Sequence, residues 1–160
     1  MTNKRRLHPL GKEEMNPYKK LKAYLAENHY QEIRNSYGLY LRRWKLFPRN
    51  KVFNIYLHQL LLSDEGVYHD HRYASLSFVL KGQMLECINP WKLGDTMRPS
   101  QTRVVEPWRF YYRSSTMLHF LTLFGEKPVW TLFITGPELK DWGFMTERGW
   151  VESEEYLRTK

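Results

Sequence analysis

Apolar and polar positions alternate with period two over much of this chain, the pattern of half-buried β-strands. The alternation is clearest over 68–82. There Ala74, Leu76, Phe78 and Leu80 fall on one face and Tyr73, Ser75, Ser77 and Val79 on the other. Gly82 turns this segment into a second strand over 83–88. Aromatic and branched residues dominate 38–47 and 51–63, with Pro48, Arg49 and Asn50 as the turn between them. The same reading holds for 104–113, 117–124 and 129–136, while Pro90, Gly94, Asp95 and Pro99 mark 89–101 as a loop. One stretch departs from period two. After Asn16 and Pro17, a cap and a first-turn proline, Tyr18, Leu21, Tyr24 and Leu25 recur at helical spacing and predict a short amphipathic helix over 17–28. Many short strands after one helix predict an all-β sandwich or closed barrel.

Composition narrows the class. A length of 160 residues suits one domain, and an aromatic content of 16% is too rich for a disordered chain. The apolar runs are too short to span a membrane, and the basic start has no apolar block behind it, so no secretory leader is expected. The one cysteine, Cys87, rules out an internal disulfide and a four-cysteine zinc site, which points to a cytoplasmic setting. Charge divides the chain: residues 1–51 carry a balance of +9, whereas 52–160 carry −1. The expected organisation is a basic arm and helix over 1–37, a barrel over 38–151 and an exposed polar tail over 152–160. The arm is a candidate contact for nucleic acid or another anionic partner, although no zinc-finger, leucine-zipper or RNP signature accompanies it. Strands in 38–63 are candidates for pairing between two chains, giving a homodimer.

The chemistry concentrates on histidine. His69 and His71 flank Asp70 at the start of an expected strand, where residues i and i+2 project to the same face. His119, in the apolar segment 117–124, is the natural third donor, because a lone titratable group among apolar residues needs a partner. Three imidazoles leave coordination positions for substrate or dioxygen. Glu86 is a candidate fourth ligand, or instead an acceptor that holds an imidazole from behind. Asp70 should point away from its two neighbours, to the surface or behind the site. Tyr73, Ser75 and Ser77 share the histidine face and are candidate substrate contacts, unless that face is outward. Arg109, Tyr111 and Arg113 alternate along one strand, and if they face inward Tyr111 and Arg113 offer an anchor for a carboxylate or phosphate. Trp130, Trp142, Phe144 and Trp150 read as packing.

These residues resemble the first motif of the cupin superfamily of small jelly-roll barrels. His69-Asp70-His71, three residues, Ser75, then six residues to Gly82 reproduce its spacing, with Ser75 where the family often has glutamate. The second motif is represented by His119, with Ser114, Thr116 and Leu123 in its proline, glycine and asparagine places. A closer resemblance over about 57–151 rests on WTLFITGP (130–137), WGF (142–144) and Gly149-Trp150, and is to small uncharacterised cupin-like proteins common in bacteriophage and prophage sequences. The resemblance implies a cupin barrel binding a divalent transition metal, with Fe(II) favoured over Zn, Ni or Mn, and an oxygenase-like reaction on a small polar or anionic molecule. Imidazole donors by themselves suit several of these ions. The alternative is a non-catalytic module that sequesters a small anionic, nucleotide-like ligand, a reading favoured by Ser75 and the basic arm.

Overall fold

A computed structural model describes residues 16, 19, 20, 23, 30–89, 100–125 and 127–159. The basic arm, the expected helix over 17–28 and the loop after residue 89 lie almost wholly outside them. The described strands are β1 (Tyr30–Asn35), β2 (Gly38–Lys45), β3 (Asn54–Leu60), β4 (Ser75–Lys81), β5 (Met84–Asn89), β6 (Gln101–Val105), β7 (Phe110–Arg113), β8 (Leu118–Leu123), β9 (Val129–Thr135), β10 (Gly143–Thr146) and β11 (Gly149–Glu152), followed by a helix, α1 (Ser153–Arg158).

The strands form two antiparallel layers. One has the order β1-β2-β3-β9-β4-β7, so the late strand β9 inserts between β3 and β4 and ties the two halves of the chain together. The other has the order β6-β5-β8. It is extended by the backbone of His69, which bridges His119 of β8 to Phe144 of β10, with β11 beyond.

Period-two alternation turns one row of each strand inward, and the inward rows change character along the barrel axis. At one end Leu41, Leu60, Val79, Met84, Val105, Tyr111 and Val129 form the apolar core, drawn from both layers. Burying each aliphatic side chain there contributes about 1.5–3 kcal/mol. That offsets the cost of the other end, where His58, Ser75, Ser77, Glu86, Arg113, His119, Thr131 and Thr135 are buried. The inward row of β4 runs Ser75, Ser77, Val79, so one strand supplies both the polar end and the apolar floor.

Five local readings need correction. First, 104–113 is two strands. Pro107 has no N–H to give a ladder, and Trp108, at φ 64°, turns the chain between β6 and β7. Second, β1 was not anticipated, because YQEIRN is a mostly exposed, polar edge strand with little apolar alternation. Third, the segment from 152 onward is not a free tail: Ser153 is buried and α1 packs against β10 and β11. Fourth, His69-Asp70-His71 precedes the strand rather than starting it, since β4 begins at Ser75. Fifth, β2 and β3 offer no free edge for a second chain, because β1 covers one side of the pair and β9 the other.

Candidate metal centre

The His69 segment is held from both sides. His69 exchanges two backbone hydrogen bonds of 3.0 Å with His119, and Asp70 N donates to Gly143 O at 3.1 Å. These bonds set His69 and His119 side by side across the layer, and an irregular turn brings His71 to the same space. The ring centroids of the three histidines are 5.1–5.3 Å apart, and one nitrogen from each falls within 4.8 Å of the others. His71 Nε2 and His119 Nε2 are 2.8 Å apart.

The far nitrogens lie against oxygen acceptors. His69 Nδ1 lies 3.2 Å from Val67 O, and His119 Nδ1 lies 2.7 Å from Glu86 Oε1. With Nδ1 carrying the proton, each ring presents Nε2 as the free donor. Burial, followed by the nearby His119 and His69, holds the His71 pKa well below its ordinary value. Burial also lowers His119, although its hydrogen bond to Glu86 opposes the shift. Neutral imidazoles are the metal-binding form.

This donor set fits a divalent transition metal. Two nitrogens each about 2.1 Å from one ion and at right angles are about 3 Å apart, close to the 2.8 Å between His71 and His119. The acceptors behind His69 and His119 are the partners that metal-bound imidazoles ordinarily have.

Glu86 lies behind the cluster rather than in it. Its side chain is fully buried, and its two oxygens accept from Arg113 Nε at 2.5 Å and Arg103 Nε at 2.7 Å. Burial would raise its pKa, but the hydrogen bond to His119 and the Arg113 guanidinium outweigh burial and hold it well below the usual carboxylate range. Arg113 also donates to Ser77 Oγ at 2.7 Å.

Asp70 points away from the cluster, as expected, but into a buried clamp rather than to the surface. Oδ1 accepts from Gly143 N at 2.8 Å, and Oδ2 accepts from Lys140 Nζ at 2.5 Å and Trp150 Nε1 at 3.1 Å. Gly143 is required here, because a Cβ would stand 2.1 Å from Val151 O. Asp70→Ala should therefore destabilise the protein by about 2–3 kcal/mol and weaken metal binding roughly tenfold or more, read by urea unfolding and by metal titration. Unchanged metal affinity would show that the clamp does not position the histidines.

A cavity of about 920 Å³ opens onto the cluster. His69, His71, Tyr73, Ser77, Arg113 and His119 line it, whereas Ser75 and Tyr111 are not among its lining residues. Ser75 Oγ is buried without a described partner. Tyr111 is committed to the β6–β7 turn, its hydroxyl accepting from Glu106 N at 2.8 Å. Arg109 is exposed. Trp142 and Phe144 pack near the His69 ring and form part of the cavity wall, Trp130 stacks on Trp44, and Trp150 closes the Asp70 clamp. Among the described residues, six cationic side chains and three carboxylates line the cavity. Arg43 and His58 belong to this lining, and sequence reasoning passed over both. The only trace was their inward register, which an isolated strand does not reveal.

No protein-family model and no curated protein matches the chain. Solved structures do match at the level of the fold. A cupin-2 domain protein from Rhodospirillum rubrum superposes with a TM-score of 0.58 at 13% identity, covering 98% of this chain and 92% of that one. The iron(II) form of HppE in complex with substrate gives a TM-score of 0.54 at 13% identity over 69% of this chain and 57% of that one. The DMSP lyase DddQ from Ruegeria pomeroyi gives 0.52 at 13% over 69% and 58%. The chain thus spans little more than half the length of the latter two. Two facing antiparallel layers, a late strand inserted between earlier ones, a polar cavity at one end and these superpositions together identify the fold as that of the cupin jelly rolls.

Proposed function

We propose that the chain is a metal-dependent cupin enzyme that holds Fe(II) on His69, His71 and His119 and acts on a small anionic molecule. The observation that carries this reading is the convergence of three imidazoles, two with their second nitrogen against an oxygen acceptor, at the wall of a cavity rich in positive charge. The reading is supported by HppE, a protein of similar fold that was solved in its iron(II) form. When bound, a divalent metal supplies Lewis-acid polarisation of a substrate oxygen and, as iron, activation of dioxygen. The chain's own groups do the rest. Glu86 orients His119 and raises its basicity. Arg113 balances the Glu86 charge, so that this carboxylate stays on Nδ1. Trp142 and Phe144 shield the His69 side from bulk water.

The test is elemental analysis of full-length protein purified without chelator, followed by dioxygen uptake after loading with Fe(II). Close to one metal per chain is expected, and metal-free protein at full purity would overturn the reading.

A second reading, a non-catalytic module that binds a small anion, is favoured by Ser75 at the place of the family's carboxylate and by the cationic lining. Thermal stabilisation by nucleotides with no response to metals would select it.

A further inference from the structure

We propose that Arg43 anchors an oxyanion, carboxylate or phosphate, at one end of a small substrate whose other end reaches the three-histidine cluster. The role of the cluster rests on the metal-dependent reading above, whereas the anion site stands on its own geometry.

Arg43 faces inward from β2, opposite His58 of β3. Its Nε donates to His58 Nε2 at 3.0 Å, and its guanidinium carbon lies 5.1 Å from the centroid of the Tyr56 ring. These contacts hold one edge of the guanidinium. The terminal nitrogens have no acceptor among the described residues, and Arg43 is part of the cavity lining. A guanidinium offers two parallel N–H bonds along such an edge, the geometry that matches a carboxylate or phosphate.

Arg43 has no counter-charge among the described residues. Of the other cations lining the cavity, Arg34, Arg49 and Arg113 pair with Glu32, Glu138 and Glu86, while Lys45 and Arg72, like Arg43, have no carboxylate partner there. Arg43 instead meets His58, which is buried and accepts through Nε2 as a neutral ring. The carboxylates lining the cavity are engaged elsewhere: Asp64 with Leu121 N, Glu65 with Ser36, and Glu138 with Arg49. A half-buried cation without a carboxylate is costly unless a ligand supplies the negative charge.

A ring path joins the anchor to the cluster. His58 stacks on Phe133 at 4.8 Å between centroids, Phe133 meets Tyr73 at 6.2 Å, and Tyr73 stacks on His71 at 6.1 Å. A molecule lying along the Phe133 and Tyr73 rings, its anionic end on Arg43, brings its far end to His71. The Tyr73 hydroxyl, with no hydrogen-bond partner among the described residues, is available to it on the way. Arg113 does not compete for the anion. Its Nε and Nη1 are engaged by Glu86 and Ser77, and its Nη2 is sealed from solvent.

The experiment uses full-length protein stripped of metal with a chelator and titrated calorimetrically with inorganic phosphate, with succinate, and with neutral succinamide as control. At least one anion should bind where succinamide does not, and the stronger of the two identifies the oxyanion. Arg43→Gln should weaken that binding roughly tenfold or more, while its circular dichroism and metal content match the parent. Equal anion affinity in the parent and Arg43→Gln, or no anion preferred over succinamide, overturns the proposal. Should Arg43→Gln fail to fold, Arg43→Lys decides: it keeps the charge and loses the fork, so a several-fold loss supports the anchor and parity refutes it. Failure of the metal reading would appear separately, as parent protein without metal that still binds the anion.

Discussion

Glu86→Gln should lower the melting temperature by roughly 6–20 °C. The substitution preserves shape but removes the counter-charge of Arg113, which is 2% exposed, and of Arg103. Breaking a buried pair from one side costs about 3–5 kcal/mol, and each kcal/mol shifts the melting point by about 2–4 °C in a chain of this size. Acid titration gives an independent check. The folded-state pKa of Glu86 is depressed, so its stabilising contribution is complete above its unfolded value near 4.5 and is lost as the pH falls from there toward the folded value. The stability gap between parent and variant should therefore be flat at neutral pH and close below pH 4.5. Urea unfolding across that range measures it. A gap that stays constant down to strongly acid pH would show that Glu86 does not carry the charge network.

His71→Ala should abolish the thermal response to metal. At a free metal concentration 100-fold above Kd, binding stabilises the parent by about 2.7 kcal/mol, which corresponds to a shift of roughly 5–11 °C. His71 lies on the cavity wall rather than in the apolar floor, so the metal-free variant should melt close to the metal-free parent. The expected result is loss of both the metal-induced shift and the metal found by elemental analysis. A variant that keeps its metal would mean that the three rings do not share an ion.

The two variants separate two layers of the site. Glu86 acts through His119 and the arginines and so affects folding and metal affinity together, whereas His71 affects the metal alone. That division follows from position: Glu86 is sealed between β5 and the arginines of β6 and β7, while His71 faces the cavity.

Much of the barrel could be read from alternation. Strands β2, β3, β4, β5, β8 and β9 coincide with apolar or alternating segments bounded by turn residues, and the serine row of β4 already shared a face with Val79. The failures have local causes. Period two cannot signal β1, whose residues are polar and mostly exposed at the sheet edge. It also ran through Pro107 and Trp108, because the aromatic residues on both sides of that turn look like one strand. The helix at 153–158 was missed because six largely exposed residues carry little apolar periodicity.

The site divides in the same way. His69, His71 and His119 could be assembled from spacing and from the oddity of a histidine in an apolar strand, because those are one-dimensional properties of the chain. Alternation can also assign a residue to a face. It cannot say which inward residue of a distant strand lies opposite, and that depends on register and on which strands become neighbours. Glu86 therefore remained a choice between ligand and support until folding placed Arg113 and His119, 27 and 33 residues away, against one of its oxygens and Arg103 against the other. Asp70 became a clamp only when a hairpin more than 70 residues later closed over it. Arg43 acquired meaning only when its neighbour proved to be a neutral histidine rather than a carboxylate. The chain's own pattern determined the strands, the inward rows and the histidines of the cluster. Tertiary contacts alone decided which charges are neutralised, because charge balance in a buried site is a property of its surroundings.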